Sequence, residues 1–205
     1  ALRPVNIDTN VPATTEKRDK SPRLAPELES SLKRYGSYTE LKRAALIIAA
    51  AQTDKRSVKK LREEFLKIDT DASGTINEKE LCAALGVAEL DTPTKDVFAK
   101  LDHDRSGEVH YHEFLAATLE AHELLNEEVL QDTFDRMDHD DSGVISRENL
   151  RSLLGSRASD ELVETLMQDG DLKRNGHVDY EEFSRVMRSG ASGSVDSLED
   201  VAPMF

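Results

Sequence analysis

Four copies of a twelve-residue segment recur along this chain of 205 residues. Each copy begins with Asp, carries Gly at its sixth position and has Ile or Val at its eighth position. The starts of consecutive copies lie 33, 36 and 33 residues apart, so the repeat determines most of the predicted architecture. The segments, hereafter loops 1 to 4, are DTDASGTINEKE (69–80), DHDRSGEVHYHE (102–113), DHDDSGVISREN (138–149) and DLKRNGHVDYEE (171–182).

The residue types in these loops suit a calcium ion. Ca²⁺ is a hard cation that takes roughly six to eight oxygen ligands, which a loop of this kind supplies from positions 1, 3, 5, 7, 9 and 12. The glycine at position 6 permits the sharp turn that brings these oxygens together. Position 8 points away from the ligands, so Ile76 is expected to pair with Val109, and Ile145 with Val178, in short antiparallel strands.

Large apolar residues at helical spacing flank every loop. They are Phe65, Phe98, Phe134 and Met167 four residues before the loops, and Leu81, Phe114, Leu150 and Phe183 directly after them. This is the helix–loop–helix pattern of the EF-hand, which occurs in pairs. We therefore predict an all-α fold with four EF-hands in two paired lobes, preceded by a long amphipathic helix.

The predicted organisation has five segments. They are a flexible N-terminal segment (1–27), the amphipathic helix (28–53), an N-terminal lobe with loops 1 and 2 (54–122), a C-terminal lobe with loops 3 and 4 (123–188) and a flexible tail (189–205). Proline, glycine, serine and charged residues dominate both ends, which is typical of linkers. The stretch 113–133 lacks Gly and Pro and is expected to run helically from one lobe into the other.

Loops 1 and 2 carry full sets of oxygen donors, so we predict that both bind Ca²⁺. The expected ligands of loop 1 are Asp69, Asp71, Ser73, the Thr75 carbonyl, Asn77 and a bidentate Glu80. Those of loop 2 are Asp102, Asp104, Ser106, the Glu108 carbonyl and Glu113. His110 stands at the ninth position of loop 2, where contact with the ion is often through water.

Loops 3 and 4 each depart from this pattern at one position. In loop 3 the twelfth residue is Asn149, whose neutral amide offers one oxygen in place of a charged pair, so weaker affinity is expected. In loop 4 the third residue is Lys173, a cation where a carboxylate belongs, so a purely structural hand is an equal alternative. The candidate ligands are Asp138, Asp140, Ser142, the Val144 carbonyl and Ser146 in loop 3, and Asp171, Asn175, the His177 carbonyl, Asp179 and Glu182 in loop 4. Mg²⁺ is the expected competitor at weak sites.

A basic, apolar stretch precedes the acidic repeats. Residues 1–60 hold 13 Lys/Arg and 7 Asp/Glu, whereas the remaining 145 residues hold 14 and 34, so the formal charges are +6 and −20. The run ELKRAALIIAAAQ (40–52) is typical of helices that lie in the groove of calmodulin-like lobes or on anionic membranes, and a plain core helix is the ordinary alternative. Because the acidic lobes are tethered to this helix, effective concentration favours its capture within the chain.

Three runs carry a resemblance to a known family. YTELKRAALIIAAAQ, LREEFLKIDTDASGTINEKEL and HYHEFLAATLE resemble the junction and calmodulin-like segments of calcium-dependent protein kinases, and the resemblance covers roughly residues 28–188. In that family a Ser/Thr kinase domain precedes the junction, which helps to hold the kinase inactive until calcium rearranges the lobes. The resemblance therefore implies a calcium-sensing regulatory region whose partners are its own helix Leu32–Gln52 and an upstream kinase domain outside this sequence.

The sequence itself lacks catalytic motifs: it has no Gly-rich phosphate loop, HRD-type loop or DFG triplet. Nucleic-acid binding is disfavoured because the basic residues show neither regular interleaving with aromatic residues nor a helical arginine stripe. The single cysteine, Cys82, predicts a packed thiol and a reducing, cytoplasmic location, with membrane association through another part of the protein left open. Two further functions stay open: a free-standing sensor of the calmodulin or centrin type, and a calcium buffer whose hands barely open.

Overall fold

The computed structural model describes residues 23–87, 92–155 and 158–190, without the side chains of residues 92 and 93. In these ranges the helices are α1 (Pro26–Tyr35), α2 (Glu40–Gln52), α3 (Lys59–Ile68), α4 (Glu78–Leu85), α5 (Thr92–Leu101), α6 (Tyr111–Thr118), α7 (Glu127–Met137), α8 (Arg147–Leu154), α9 (Asp160–Gly170) and α10 (Tyr180–Arg188). The strands are β1 (Thr75–Ile76), β2 (Val109–His110), β3 (Val144–Ile145) and β4 (Val178–Asp179). Residues 1–22 and 191–205, most of the two segments predicted to be flexible, lie outside the described residues. No described helix is both long enough and apolar enough to cross a membrane.

Two short antiparallel ladders join the loops in pairs. β1 pairs with β2, placing Ile76 opposite Val109, and β3 pairs with β4, placing Ile145 opposite Val178. All four side chains are at most 1% exposed. The predicted strand pairs are therefore confirmed, and so is the all-α fold of four hands in two lobes.

Equivalent aromatic pairs fill the interiors of the two lobes. Phe65 and Phe114 meet edge to face with ring centroids 5.5 Å apart in the N-terminal lobe, and Phe134 and Phe183 do the same at 5.5 Å in the C-terminal lobe. Such pairs contribute about 0.5–1.5 kcal/mol beyond the burial of their area. The two cores match because the phenylalanines occupy the same positions of the repeat, before one loop and after the next.

The amphipathic segment forms two helices, α1 and α2, so the prediction of one continuous helix over residues 28–53 was wrong. At the end of α1, Ser37 Oγ donates a hydrogen bond of 2.6 Å to the carbonyl of Arg34. At the start of α2, Thr39 Oγ1 accepts one of 3.3 Å from the backbone N–H of Lys42. A threonine in this position satisfies a helix N-terminus, so a new helix begins there instead of the first one continuing.

The connection between the lobes is also interrupted, contrary to the helix predicted over residues 113–133. α6 ends at Thr118, a short 3-10 helix covers residues 120–122, and Glu123 has the left-handed φ of 54°. Asn126 then accepts a hydrogen bond of 2.9 Å from the backbone N–H of Val129 and caps the start of α7. The chain can therefore turn between the lobes although this stretch has neither Gly nor Pro.

The helix α2 lies between the two lobes. It contacts α6 of the N-terminal lobe and α7, α9 and α10 of the C-terminal lobe, while α1 packs on α5 and α6. Leu41, Ala45, Leu46 and Ala49 are each 0% exposed. The apolar stretch that the sequence singled out is thus covered by the lobes of its own chain, and both lobes and α2 share one continuous core.

Candidate metal centres

Loop 1, between α3 and α4, holds its carboxylates by backbone hydrogen bonds. Asp69 accepts bonds of 3.0 and 2.9 Å from the N–H groups at loop positions 5 and 6. Glu80 accepts bonds of 2.8 and 3.1 Å from the N–H groups at positions 2 and 9. Carboxylate oxygens of Asp69, Asp71 and Glu80 consequently lie within 4.8 Å of one another.

Hydrogen bonds also favour the charged form of a third carboxylate in loop 1. Side-chain and backbone hydrogen bonds with Ser73 hold the pKa of Asp71 below its usual value. Gly74 has a φ of 87°, a left-handed conformation that glycine adopts without strain and that folds the loop back on itself. Convergent, charged oxygens in a loop of this length fit Ca²⁺.

Loop 2, between α5 and α6, repeats this arrangement with one added group. Asp102 accepts bonds of 2.8 Å from the N–H groups at both positions 5 and 6. Glu113 is fully buried and accepts bonds of 2.7 and 2.8 Å from the N–H groups of His103 and His110. The ligand atoms that converge within 4.8 Å belong to Asp104, His110 and Glu113, so an imidazole joins the carboxylates here.

In loop 3 the residue at position 12 is hydrogen-bonded within the loop. Asn149 is 1% exposed, and its Nδ2 lies 2.7 Å from His139 Nδ1 and donates to Asp140 Oδ1 at 3.2 Å. Its Oδ1 accepts a bond of 2.8 Å from the N–H of Ser146. The hydrogen bond from Asn149 lowers the pKa of Asp140. An N–H donor, rather than an oxygen, therefore faces the carboxylate at position 3.

In loop 4 the ammonium of Lys173 pairs with carboxylates of the same hand. Its Nζ donates to Asp179 Oδ2 at 2.6 Å and to Glu181 Oε2 at 3.0 Å. The hydrogen bonds with Asp179 and then Glu181 raise the pKa of Lys173. Its backbone N–H also donates to Glu182 at 2.7 Å, as the N–H at position 3 does to the glutamate at position 12 in loops 1 and 2. Loop 4 thus keeps the fold of an EF-hand, but the ammonium of Lys173 is already bonded to Asp179, the candidate metal ligand at position 9.

The structure brings the predicted ligands together unequally. Within the described ranges, groups of three acidic or imidazole side chains with ligand atoms inside 4.8 Å form in loops 1 and 2 alone. The serine at position 5 donates to the carbonyl at position 7 in three loops. These bonds are Ser73 to Thr75 at 3.2 Å, Ser106 to Glu108 at 2.9 Å and Ser142 to Val144 at 3.0 Å. The assignment of individual metal ligands stays a prediction in all four loops.

A buried cation joins α2 to residues that lie just before and just after the C-terminal lobe. Lys42 is 2% exposed, its Nζ lies 2.6 Å from Glu120 Oε1, and it donates a hydrogen bond of 2.7 Å to the carbonyl of Ser189. The same Nζ sits 4.2 Å from the centre of the Tyr38 ring, and the Tyr38 hydroxyl donates to Glu120. Sequence reasoning missed this cluster, because the net charge of the basic stretch does not show that Lys42 is buried.

The start of α2 is fitted closely to loop 4. The Leu41 N–H donates a hydrogen bond of 3.1 Å to Asp169 Oδ2. A Cβ atom added to Gly170 would lie 2.5 Å from Leu41 Cδ2 and 2.7 Å from Val178 Cγ2. Gly170 directly precedes the first residue of loop 4, and Val178 is its eighth, so the absence of a side chain at Gly170 lets α2 approach the loop.

Comparison with known proteins agrees with this geometry. The sequence profile described as the EF-hand domain pair matches residues 37–119 and 127–188. The chain is 34% identical over 166 residues to calcium-dependent protein kinase 9 of Arabidopsis thaliana, covering 78% of this chain and 31% of that protein. It is 32% identical over 166 residues to calcium-dependent protein kinase 2 of Zea mays (78% and 32%), and 32% identical over 174 residues to calcium-dependent protein kinase 7 of Oryza sativa subsp. japonica (83% and 32%).

These similarities have a definite extent. The chain spans about a third of the length of the curated relatives it matches, and its likeness is to their calmodulin-like region, which confirms the predicted resemblance. Among solved structures, a crystal structure of a C-terminal domain aligns over 80% of this chain and 98% of that one, with 20% identity and a TM-score of 0.42. The two profile matches cover most of the chain, and the chain belongs to the EF-hand domain pair family.

Proposed function

We propose that this chain is the calcium-sensing regulatory region of a Ser/Thr protein kinase. In this proposal Ca²⁺ binding changes how the lobes hold α1 and α2, and this change relieves inhibition of a kinase domain elsewhere in the protein. The observation that carries the proposal is the burial of α2 between both lobes of its own chain. The similarity to several calcium-dependent protein kinases supports it independently.

Loops 1 and 2 are the calcium-responsive sites in this proposal. Their converging carboxylates repel one another unless a cation lies between them, whereas loop 3 has an amide donor and loop 4 an ammonium in the corresponding region. Loop 3 is then a weak site at which Mg²⁺ competes, and loop 4 is structural. Sensor affinities of roughly 10⁻⁷ to 10⁻⁵ M correspond to about 7–10 kcal/mol per ion. A part of that energy suffices to shift a two-state equilibrium when one state binds the ion better.

The helix α6 connects loop 2 to the junction helices. This helix contains Glu113, the twelfth residue of loop 2, and it packs directly on α2. Ser31 Oγ of α1 also donates a buried hydrogen bond of 2.7 Å to the carbonyl of Ala117 in α6. A shift of Glu113 onto an ion therefore moves the helix that holds both α1 and α2, which gives calcium a direct mechanical route to the junction.

Hydrogen exchange tests this route. Calcium added to the full chain is expected to change amide exchange in α2, residues 40–52, as well as in loops 1 and 2. The variant Glu113→Gln lacks the charged ligand at loop 2 and is expected to lose most of the change in α2. Unaltered exchange in α2 on saturation with calcium would contradict the proposal.

A free-standing sensor that binds foreign helices is the less favoured alternative, because α2 already occupies the space between the lobes. Binding of amphipathic target peptides by the calcium-loaded chain without displacement of α2 would support that alternative. We also propose a cytoplasmic location, which the single cysteine supports, and leave association with membranes to other parts of the protein.

A further inference from the structure

The ninth position is the main difference between loops 1 and 2. Both loops have Asp at positions 1 and 3, Ser at 5, Gly at 6 and Glu at 12, but loop 1 has Asn77 where loop 2 has His110. The oxygen of Asn77 accepts a hydrogen bond of 3.1 Å from the N–H of Glu80, at the start of α4. The His110 ring also faces the N–H of Glu113 at the start of α6, but its Nδ1 atom, which is shielded from solvent although the side chain is 39% exposed, has no hydrogen-bond partner among the described residues.

This nitrogen lies between two carboxylates. His110 Nδ1 is 3.6 Å from Glu113 Oε2 and 3.8 Å from Asp104 Oδ2. Both distances are too long for hydrogen bonds, yet the three groups converge within 4.8 Å. Glu113 is fixed in place, since it is 0% exposed and accepts backbone hydrogen bonds on both oxygens.

The spacing fits a small ion better than it fits direct contacts. Zinc bound tetrahedrally, with Zn–N and Zn–O distances of about 2.0–2.2 Å, separates its ligand atoms by about 3.3–3.5 Å. The observed separations of 3.6 and 3.8 Å are slightly larger, so small side-chain shifts would bring all three atoms onto one ion. One imidazole and two carboxylates, with water in the fourth position, form a reasonable zinc donor set.

The chemistry of the donors also favours zinc over calcium at this atom. Ca²⁺ takes oxygen ligands and gains nothing from an imidazole, whereas imidazole nitrogen suits Zn²⁺ and other late divalent metals. We propose that loop 2 is a zinc site formed by Asp104, His110 and Glu113, at which Zn²⁺ and Ca²⁺ exclude each other because they share Asp104 and Glu113. The competition between the two ions rests on the proposed function, which assigns calcium to this loop, whereas zinc binding by the three side chains does not.

Loop 1 supplies the matched comparison for a test. Zinc chloride is titrated into the metal-free full chain against a chromogenic chelator, which gives the stoichiometry and affinity. His110→Asn, which installs the residue of loop 1, is expected to weaken the strongest zinc site by about ten-fold or more, since even changes in outer-shell partners cost this much. Asn77→His is expected to create a second zinc site in loop 1. Saturating Ca²⁺ is expected to weaken zinc binding by the unaltered chain.

The neighbouring histidine is the control. His112 lies with its ring centroid 5.7 Å from that of His110 but is not among the three converging groups. His112→Asn is therefore expected to leave zinc affinity unchanged. Equal zinc affinity in His110→Asn and the unaltered chain, or an equal loss in His112→Asn, would mean binding by surface histidines and would overturn the proposal. So would an Asn77→His chain that folds, by circular dichroism, without gaining a site.

Calcium titrations of the same proteins separate this proposal from the proposed function. His110→Asn is expected to bind Ca²⁺ as the unaltered chain does, because loop 1 has asparagine at this position. If the chain binds zinc at loop 2 but no calcium, the zinc site is supported and the proposed calcium-sensing function is contradicted. If the chain binds calcium but has no zinc site that depends on His110, the calcium-sensing function is supported and the zinc site is contradicted.

Discussion

Asn149 and Lys173 stand where their loops would otherwise place metal ligands, and each supplies N–H groups instead. Asn149 donates to Asp140, and Lys173 donates to Asp179. In both cases a donor of the protein meets a carboxylate that a metal ion would otherwise neutralise. At the scale of single residues, loops 3 and 4 therefore have internal partners that loops 1 and 2 lack.

Asn149→Glu adds a second oxygen and a negative charge at position 12 of loop 3. We expect its calcium affinity at this loop to rise by roughly ten-fold, because ligand number and charge set EF-hand affinity. Isothermal calorimetry on the full chain measures the change. Asn149→Gln keeps a neutral amide and is the control that should not gain affinity. An unchanged affinity in Asn149→Glu would show that another group limits this loop.

Lys173→Asp replaces the ammonium in loop 4 by the carboxylate typical of position 3. We expect one additional calcium ion per chain, and a lower melting temperature in chelator because the carboxylates of loop 4 then lack their cation. Lys55→Asp makes the same change of charge at an exposed residue outside the loops. It should neither add a calcium ion nor lower the melting temperature. The hypothesis fails if Lys173→Asp binds no more calcium than the unaltered chain.

At the scale of secondary structure, the four EF-hands could be predicted from the repeat, whereas the breaks before α2 and α7 could not. Spacing alone placed Ile76 opposite Val109, and it predicted the apolar residues that flank the loops, among them Phe65 and Phe114, since each occupies a fixed position of the repeat. The breaks before α2 and before α7 depend on single capping side chains, Thr39 and Asn126, whose signals are weak against a long apolar pattern.

In the candidate sites, too, some contacts could be predicted from the sequence and others could not. The carboxylates of loops 1 and 2 follow from motif spacing, and the structure places several of them together. The contact of Lys42 with Glu120 could not be predicted, because it joins residues far apart in the sequence that no local pattern relates. The hydrogen bonds of Lys173 depend on how its side chain folds back over the loop, which spacing does not specify.

Gly170→Ala tests how closely α2 is fitted to the C-terminal lobe. The added methyl would lie 2.5 Å from Leu41 Cδ2, so the chain must shift, and overpacking of this kind costs about 1–3 kcal/mol of unfolding free energy. Urea denaturation measures the loss. Gly190→Ala adds the same methyl where no atom lies within 4 Å and should cost little. Equal stability of the two variants would contradict the close fit.

At the scale of the whole molecule, α1 and α2, which belong to the basic part of the sequence, pack against acidic lobes. The charges of +6 over residues 1–60 and −20 over the rest favour this packing, and the continuous core that includes α2 stabilises it. Among the residues that the structure describes, α1 and α2 therefore cover the apolar faces of α6, α7 and α9.

Deletion of residues 1–53 should uncover those faces. We expect the truncated protein to bind an apolar fluorescent dye more strongly than the full chain before any calcium is added, and to show altered calcium affinity. Deletion of residues 1–22 alone, which leaves α1 and α2 in place, is the control and should resemble the full chain. Identical dye binding and calcium affinity after both deletions would argue against capture of α2.

The burial of Lys42 has a consequence for the shape of the calcium response. Its ammonium is bonded to Glu120 just before the C-terminal lobe and to the carbonyl of Ser189 just after it. Partial withdrawal of α2 would strand a charge in an apolar interior, which is strongly unfavourable. In the proposed function, detachment of α2 should therefore occur in a single step, so that the output rises steeply rather than gradually with calcium concentration.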